Sequence, residues 1–396
     1  MGNNADPRSL WLLDPGVTFL NHGSFGACPR AVLDAQARLR ERLEREPVRF
    51  LARELEGALD GSRRALGDFL GADPEGIAFV PNATTGVNTV LRSLHLRRGD
   101  EILTTDHAYP ACKNALHRLA ADTGAVVVEA EVPFPITSPV EVVDSLLPRV
   151  GPRTRACLID HVTSPTGLVL PVATLVTKLQ DAGVDVIVDG AHAPGMVPLA
   201  VDAIGAAYYT GNCHKWLCAP KGSAFLYVRH DKRDGIRPLA VSLGYRSGRS
   251  DRPPFRLQFD WVGTGDPTPY LCVSDAIRYM GSLLPGGWRD LMIQNRKTTL
   301  EARARLCGLP RTPPPCPDDM IGSLASIPLP DGEDTDLSRT GDNDPLRSEL
   351  LDRFGIEVPV IAWPRPPKRL LRISAQIYNK PREYDDLAAA LGSLLA

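Results

Sequence analysis

A chain of 396 residues with a formal net charge of −2, 43% hydrophobic and 23% charged residues has the make-up of an ordinary globular protein, and it offers no electrostatic grip for nucleic acid or an anionic membrane. Single hydrophobic cores stop growing near roughly 250–300 residues, so a larger and a smaller domain are expected. The opening Met1-Gly2-Asn3-Asn4-Ala5-Asp6-Pro7 has neither a basic n-region nor an apolar h-region, and no stretch approaches the roughly 18 apolar residues of a membrane helix; a cytoplasmic protein is expected. The 8 cysteines are scattered without a C-x-x-C pair, which argues against a zinc cage or a secreted disulfide framework. Small-molecule chemistry is the default.

In chain order, residues 29–70 predict helix, with Val32, Leu39 and Leu43 and then Leu51, Leu55 and Leu59 at helical spacing and an interruption at Pro47. Strand-like runs follow at Ile77–Val80, Glu101–Thr104, Ala125–Val128, Ala156–Ile159 and Val184–Val188, with amphipathic helical stretches between most of them. That alternation predicts βαβ units and a mostly parallel sheet, hence an α/β fold whose ligands sit beyond the carboxyl ends of the strands. Residues 231–268 lose all periodicity and read as an active-site or interface loop. Helices are expected at about 269–284, about 286–307 and Pro345–Phe354, strands near Ser323–Leu329 and Leu370–Ser374, and a C-terminal helix. The Asp-, Gly-, Pro- and Thr-rich Leu329–Pro345 reads as an exposed, mobile excursion.

Three strand-end motifs carry chemistry. After Ile77–Val80 comes Pro81-Asn82-Ala83-Thr84-Thr85-Gly86, opening a helix, where hydroxyls and backbone N–H groups form an anion site suited to a phosphate; by itself the motif is equally a helix cap. Val186-Ile187-Val188-Asp189-Gly190-Ala191-His192 delivers a carboxylate at a strand tip, which can keep a ring nitrogen cationic or, alone, cap a helix or bind a metal. Tyr208-Tyr209-Thr210-Gly211-Asn212-Cys213-His214-Lys215-Trp216 sets one lysine among aromatic and small residues, where a lowered pKa frees the amine for a Schiff base and for moving a Cα proton.

Together these motifs resemble the class V group of fold-type I pyridoxal-phosphate enzymes, and within it the isopenicillin N epimerase-like subgroup. Phe19-Leu20-Asn21-His22-Gly23-Ser24-Phe25-Gly26, Thr163-Ser164-Pro165-Thr166-Gly167 and Arg372-Ile373-Ser374-Ala375-Gln376 are also similar to that subgroup, so the likeness spans about residues 17–380. The resemblance implies the aspartate-aminotransferase fold, a large domain with a seven-stranded-type sheet plus a smaller α/β domain, and pyridoxal 5'-phosphate as cofactor. Its implied segments are an N-terminal arm (1–28) contributing to the site, a cofactor-binding domain (29–268) and a C-terminal domain (269–396). Lys215 would carry the Schiff base, Asp189 would face the pyridine nitrogen and His192 the ring hydroxyl. Thr84 with the backbone of Ala83 and Thr85, Asn212 and His214 would hold the phosphate, joined by Thr264 of a neighbouring subunit in a homodimer. His107 matches the residue stacked on the ring, with Tyr109 as the alternative. Arg372 would bind the substrate α-carboxylate, with Asn21, His22, Gly23 and Ser164 at the substrate end.

The reaction is less sharply marked. Gly355 to Arg372 contains no cysteine, so the persulfide route of cysteine desulfurases is not expected. Epimerisation needs a proton donor opposite Lys215, for which His107, Tyr109 and His22 are candidates; β-elimination needs a leaving group on Cβ. Gly265 after Gly263-Thr264, where isopenicillin N epimerases carry a charged residue, and His22, where a Thr occurs in at least one epimerase, set the substrate end apart. Relatives in antibiotic and ergothioneine pathways process cysteine conjugates, by carbon–sulfur cleavage or by decarboxylation coupled to oxidative deamination, and an amino-acid enzyme of this kind is the expectation. The alternatives are a Cα epimerase and, in another class, a metal-dependent hydrolase built from Asp106-His107, Asp160-His161, Asp189 and His192, although no tight ligand spacing such as H-E-x-x-H is present.

Overall fold

The computed structural model describes residues 6–308, 313–332 and 344–395. Its strands are β1 (Thr18–Phe19), β2 (Ile77–Val80), β3 (Glu101–Thr105), β4 (Val126–Ala130), β5 (Thr154–Asp160), β6 (Asp185–Asp189), β7 (Tyr208–Asn212), β8 (Ala224–Val228), β9 (Leu324–Pro328), β10 (Ile356–Glu357), β11 (Val360–Ala362) and β12 (Arg369–Ser374). Seven of them form one sheet in the order β2-β8-β7-β6-β5-β3-β4, in which β8 alone runs against its neighbours. Both faces are covered. Val186 and Val188 belong to the core on one side with Ile159 and Tyr209, whereas Ile187 belongs to the other with Leu158 and Tyr208. Burial on both faces is why these strands read as unbroken apolar runs rather than alternating ones. Their polar tips, Asp160, Asp189 and Asn212, therefore emerge together along one edge, with Asp160 in register with Asp189 and Asp189 with Thr210.

The five strands expected from sequence are all present, and β7 and β8 join them. A short run such as Ala224–Val228 cannot be told from a buried helical segment by periodicity alone. The predicted helix over 29–70 is broken into α1 (Arg30–Arg45), a wide-turn segment around Phe50–Glu54, and α2 (Leu55–Leu70), because Pro47 cannot continue the hydrogen-bond ladder beyond Arg45. The helix α3 (Ala83–Ser93) follows β2, and α4 (Pro110–Thr123) follows β3.

The stretch 231–268 differs from the expected loop, since Pro254–Asp260 is helical. Ion pairs hold that segment to α2: the buried Arg63 meets Asp60 and Asp260, and the buried Arg256 meets Asp60, Glu75 and Asp260. Partners more than 180 residues away leave no local periodicity to read. A second, antiparallel sheet in the order β11-β12-β9 packs with the long helix Gly287–Cys307. The excursion expected at Leu329–Pro345 falls largely on residues 333–343, outside the described residues. Among the described residues no helix is long and apolar enough to cross a membrane.

Two joins between distant segments position the site. Parallel pairing of β1 with β10 fastens the first residues to the last part of the chain. Gly26 then passes so close to the lysine loop that a Cβ there would lie 2.1 Å from the His214 carbonyl oxygen, at a φ of +70° that L side chains rarely adopt. Gly26→Ala is accordingly expected to cost about 3 kcal/mol or more; thermal unfolding with the midpoint unchanged would contradict it.

Candidate active site

Lys215 follows β7 and is half-buried, with its Nζ 3.0 Å from His192 Nε2. Trp216 Nε1 donates to His192 Nδ1 at 3.4 Å, so in the neutral imidazole the proton is on Nε2 and points at the lysine amine. Burial drives the Lys215 pKa down to about 7, the Arg372 charge adds to that, and Asp189 and Asp160 oppose it. Burial also keeps His192 uncharged. An amine that is half neutral near pH 7 is a nucleophile under physiological conditions. Capture of an aldehyde by the cofactor-free protein should therefore accelerate as pH rises, with a midpoint of about 7; a midpoint near the ordinary 10.5 of lysine, read by stopped-flow absorbance, would refute this.

Asp189 ends β6 with its carboxylate 3% exposed. Ala191 N–H donates to Oδ1 at 2.9 Å and the Cys112 thiol to Oδ2 at 3.3 Å. Burial raises its pKa. A carboxylate with only neutral donors in hydrogen-bond reach is costly to bury, and a cationic ring nitrogen seated on it would remove that cost. The residues present thus fit a pyridinium cofactor anchored by a lysine.

The phosphate end departs from expectation in its details. Asn82 caps α3 by accepting from Thr85 N–H at 2.8 Å, and Asn212 Oδ1 accepts from Ala83 N–H at 2.8 Å. Both backbone donors assigned to a phosphate are therefore engaged within the protein, while Thr84 and Thr85 are half-buried and Ala83 is buried. His214 Nδ1 donates to the Ser223 carbonyl at 2.8 Å and burial holds its pKa at about 4, so its Nε2 is an acceptor rather than a donor while the ring is neutral. Thr264 lies on the exposed 262–266 loop, away from Lys215, and that loop borders a cavity of about 270 Å³ with Pro81, Thr85 and Tyr270.

At the substrate end, Arg372 from β12 donates through Nη1 to the Ser164 carbonyl at 2.7 Å and Ser164 Oγ at 3.1 Å, and through Nη2 to Ser24 Oγ at 2.9 Å. Ser24 donates to Asn21 Oδ1 at 2.6 Å, and Asn21 Nδ2 to Glu357 at 2.9 Å. Asn21 thus acts at one remove, through Ser24. Gly23 is there for packing, because a Cβ would lie 2.6 Å from the Leu324 side chain. His22 is fully buried behind the lysine: Nδ1 is 2.8 Å from the Tyr378 hydroxyl, Nε2 is 3.1 Å from the Lys215 carbonyl oxygen, and burial lowers its pKa to about 3. Both nitrogens are committed, which removes it as a proton donor to substrate.

His107 is buried and fixed at both nitrogens, Nε2 donating to the Val132 carbonyl at 2.9 Å and Nδ1 accepting from Thr166 Oγ1 at 2.7 Å. The carbonyl can only accept, so the tautomer follows from it. Trp363 stands edge-on to the same ring at 4.6 Å between centroids. Tyr109, by contrast, is 41% exposed. Among the described residues no group of three or more His, Cys, Asp or Glu side chains is placed to hold a metal ion. His161 instead meets the Tyr209 hydroxyl at 2.8 Å, and Asp106 accepts from Val132 N–H, which dismantles the ligand set of the hydrolase alternative. Ser24, Asn82, Thr166, Glu357 and Trp363 are the residues that the sequence did not single out for these contacts; the N-cap pattern of Asn82 three before Thr85 was the one local signal.

A lysine and a buried acid at the strand ends of the large sheet, with an arginine brought to them from β12 of the second sheet, fit a pyridoxal-phosphate site on an α/β scaffold. The chain belongs to the aminotransferase class-V family, whose model matches residues 27–248, and it is a pyridoxal-phosphate-dependent enzyme. It is similar to an isopenicillin N epimerase of Amycolatopsis lactamdurans, 39% identical over 98% of both chains. A probable chloroplastic L-cysteine desulfhydrase of Arabidopsis thaliana is 32% identical over 96% of this chain and 84% of its own. In fold it matches a cysteine desulfurase from Thermococcus onnurineus NA1 with a TM-score of 0.80 at 20% identity, covering 100% and 99% of the two chains; the fold is that of fold-type I pyridoxal-phosphate enzymes.

Proposed function

We propose that the enzyme cleaves the Cβ–S bond of cysteine or a cysteine S-conjugate, releasing a thiol, pyruvate and ammonia. The observation that carries this reading is that Lys215 has a proton exchangeable near neutrality, whereas the nitrogens of His107 and His22 are tied into fixed bonds. Elimination needs one base; epimerisation is served best by a second group on the opposite face.

Pyridoxal 5'-phosphate, when bound, supplies the electron sink that makes a Cα proton acidic. In this reading Lys215 anchors it, Asp189 holds its ring nitrogen cationic and His192 approaches its hydroxyl. Thr84 would donate to the phosphate with Thr264 from a second copy in a homodimer, the amides of Ala83 and Thr85 and the side chains of Asn212 and His214 would join only on exchanging their present partners, and His107 would pack on the ring. Arg372, pre-aligned by Ser164 and Ser24, holds the α-carboxylate. Lys215 takes the Cα proton, the Cβ–S pair leaves with sulfur, and the resulting ammonium returns the proton to the departing thiolate. Among the described residues the thiols nearest the site are poor rivals for the sulfur: Cys112 donates to Asp189, Cys218 lies behind His22, and burial pushes the pKa of both far up. The related desulfhydrase name supports carbon–sulfur cleavage.

Isopenicillin N epimerase names at 39% and 34% identity favour a second reading, Cα inversion with Lys215 working on both faces or with Tyr109 as partner. Incubation with L-cysteine, S-alkylcysteines and an aminoadipyl peptide, followed by thiol and pyruvate assays and chiral analysis, decides between them. Inverted amino acid without thiol would sink the lyase.

A further inference from the structure

Asp160 has no role in the proposed chemistry beyond acting on the Lys215 pKa. It ends β5 in register with Asp189 on β6, and paired residues of neighbouring parallel strands present their side chains to the same face. Both side chains are nearly inaccessible, at 4% and 3%. The surroundings of Asp160 are few: the backbone N–H groups of Tyr109 and of Asp160 itself face its carboxyl, and Asp189 and Lys215 are the charges that act on it. Cys112, which contributes its thiol to Asp189, completes the cluster from α4, while His161 next to it is turned to Tyr209. No cation stands within ion-pair distance of either carboxyl among the described residues.

We propose that Asp160 is a second carboxylate of the ring-nitrogen site, which keeps a proton beside Asp189 in the cofactor-free pocket and releases it to solvent when a cationic ring is seated there. Two neighbouring carboxyls in a dry site cannot both ionise without a cation, so one holds the proton. Burial raises both carboxyls; the charge of Asp189 raises Asp160 further, while donors from Ala191 and Cys112 favour the ionised form of Asp189, so the pair's proton belongs on the Asp160 side. Arrival of a positive ring nitrogen reverses the balance. The O–H bond of Asp160 breaks, its proton leaves, and the ring then faces two negative charges rather than one. The site thereby stores its second charge in neutral form until the cofactor needs it, and the cost of two buried anions is never met in the empty protein.

The inference rests on the cofactor reading, and Asp160→Asn tests the two separately. In the cofactor-free protein, a carboxyl whose folded pKa lies above its unfolded one contributes stability that is lost as pH rises. From about pH 5 to about pH 9 the wild type should therefore lose melting temperature relative to Asp160→Asn, by a few degrees. In the reconstituted protein, loss of a nearby negative charge should move the pH-dependent change in the cofactor's absorbance down by about one unit. Should the variant not fold, infrared difference spectra of the wild type before and after reconstitution serve instead: a protonated carboxyl C=O band must disappear. A chromophore whose transition is unshifted in the variant, or a carboxyl band that persists, overturns the proposal alone. No chromophore in the wild type overturns the cofactor reading and the proposal with it.

Discussion

Lys215→Ala should lower turnover by at least about 10³-fold and abolish borohydride-fixed attachment of the cofactor, while leaving noncovalent binding measurable. In the proposed reading the amine has two tasks, anchoring and proton transfer, and neither His107 nor His22 can stand in for it, because both are held at both nitrogens. Partial recovery on adding methylamine would separate the proton-transfer task from misfolding. Retention of full turnover would end the reading of this site. His192 cannot compensate, since its proton already points at Lys215 and burial disfavours its charged form.

The second large effect is expected at Arg372. Its two terminal nitrogens are aligned by separate partners, Ser164 on one side and Ser24 on the other. A planar fork so held can meet a carboxylate with two charge-assisted bonds, each worth about 1.5–3 kcal/mol. Arg372→Lys keeps the charge and loses the fork, so kcat/KM should fall by about 10²-fold, chiefly through KM, with the Lys215 profile little moved. Arg372→Leu removes the charge as well. Because that charge helps depress the Lys215 pKa, the midpoint for aldehyde capture should then move above about 7. An unmoved midpoint with the same loss in KM would mean that Arg372 acts on substrate only.

What could be read from sequence and what could not divide along one physical line. Asp189 was legible because it follows an apolar run buried on both faces, and such runs announce where a sheet ends; Lys215 stood out by its aromatic and small flanks, since its strand β7 was not among those expected. The β2-to-α3 turn was legible for the same reason. The roles of Ala83 and Thr85 were not, since Asn212, 129 residues from Ala83, claims one amide and the Asn82 cap the other. His22 read as a pocket residue through the family resemblance alone; its partners Tyr378 and Lys215 are 356 and 193 residues away. Likewise the Val132 carbonyl, 25 residues from His107, decides the tautomer of that ring. Local pattern reports which face of an element is dry, and the partner of a single polar atom is set by tertiary packing. Asp160 shows both halves: its place at a strand tip was visible, its alignment with Asp189 was not.

The pairing of β1 with β10, and the line from Glu357 through Asn21 and Ser24 to Arg372, has a consequence for synthesis. On the ribosome the N-terminal half emerges first and can gather its sheet early. Carboxylate recognition has to wait, because the arginine and the acid that steadies it are synthesised well after the last strand of the large sheet. A nascent chain can therefore be coloured by cofactor before it is able to select a substrate, and truncations near the carboxyl end should yield yellow protein that is blind to amino acids.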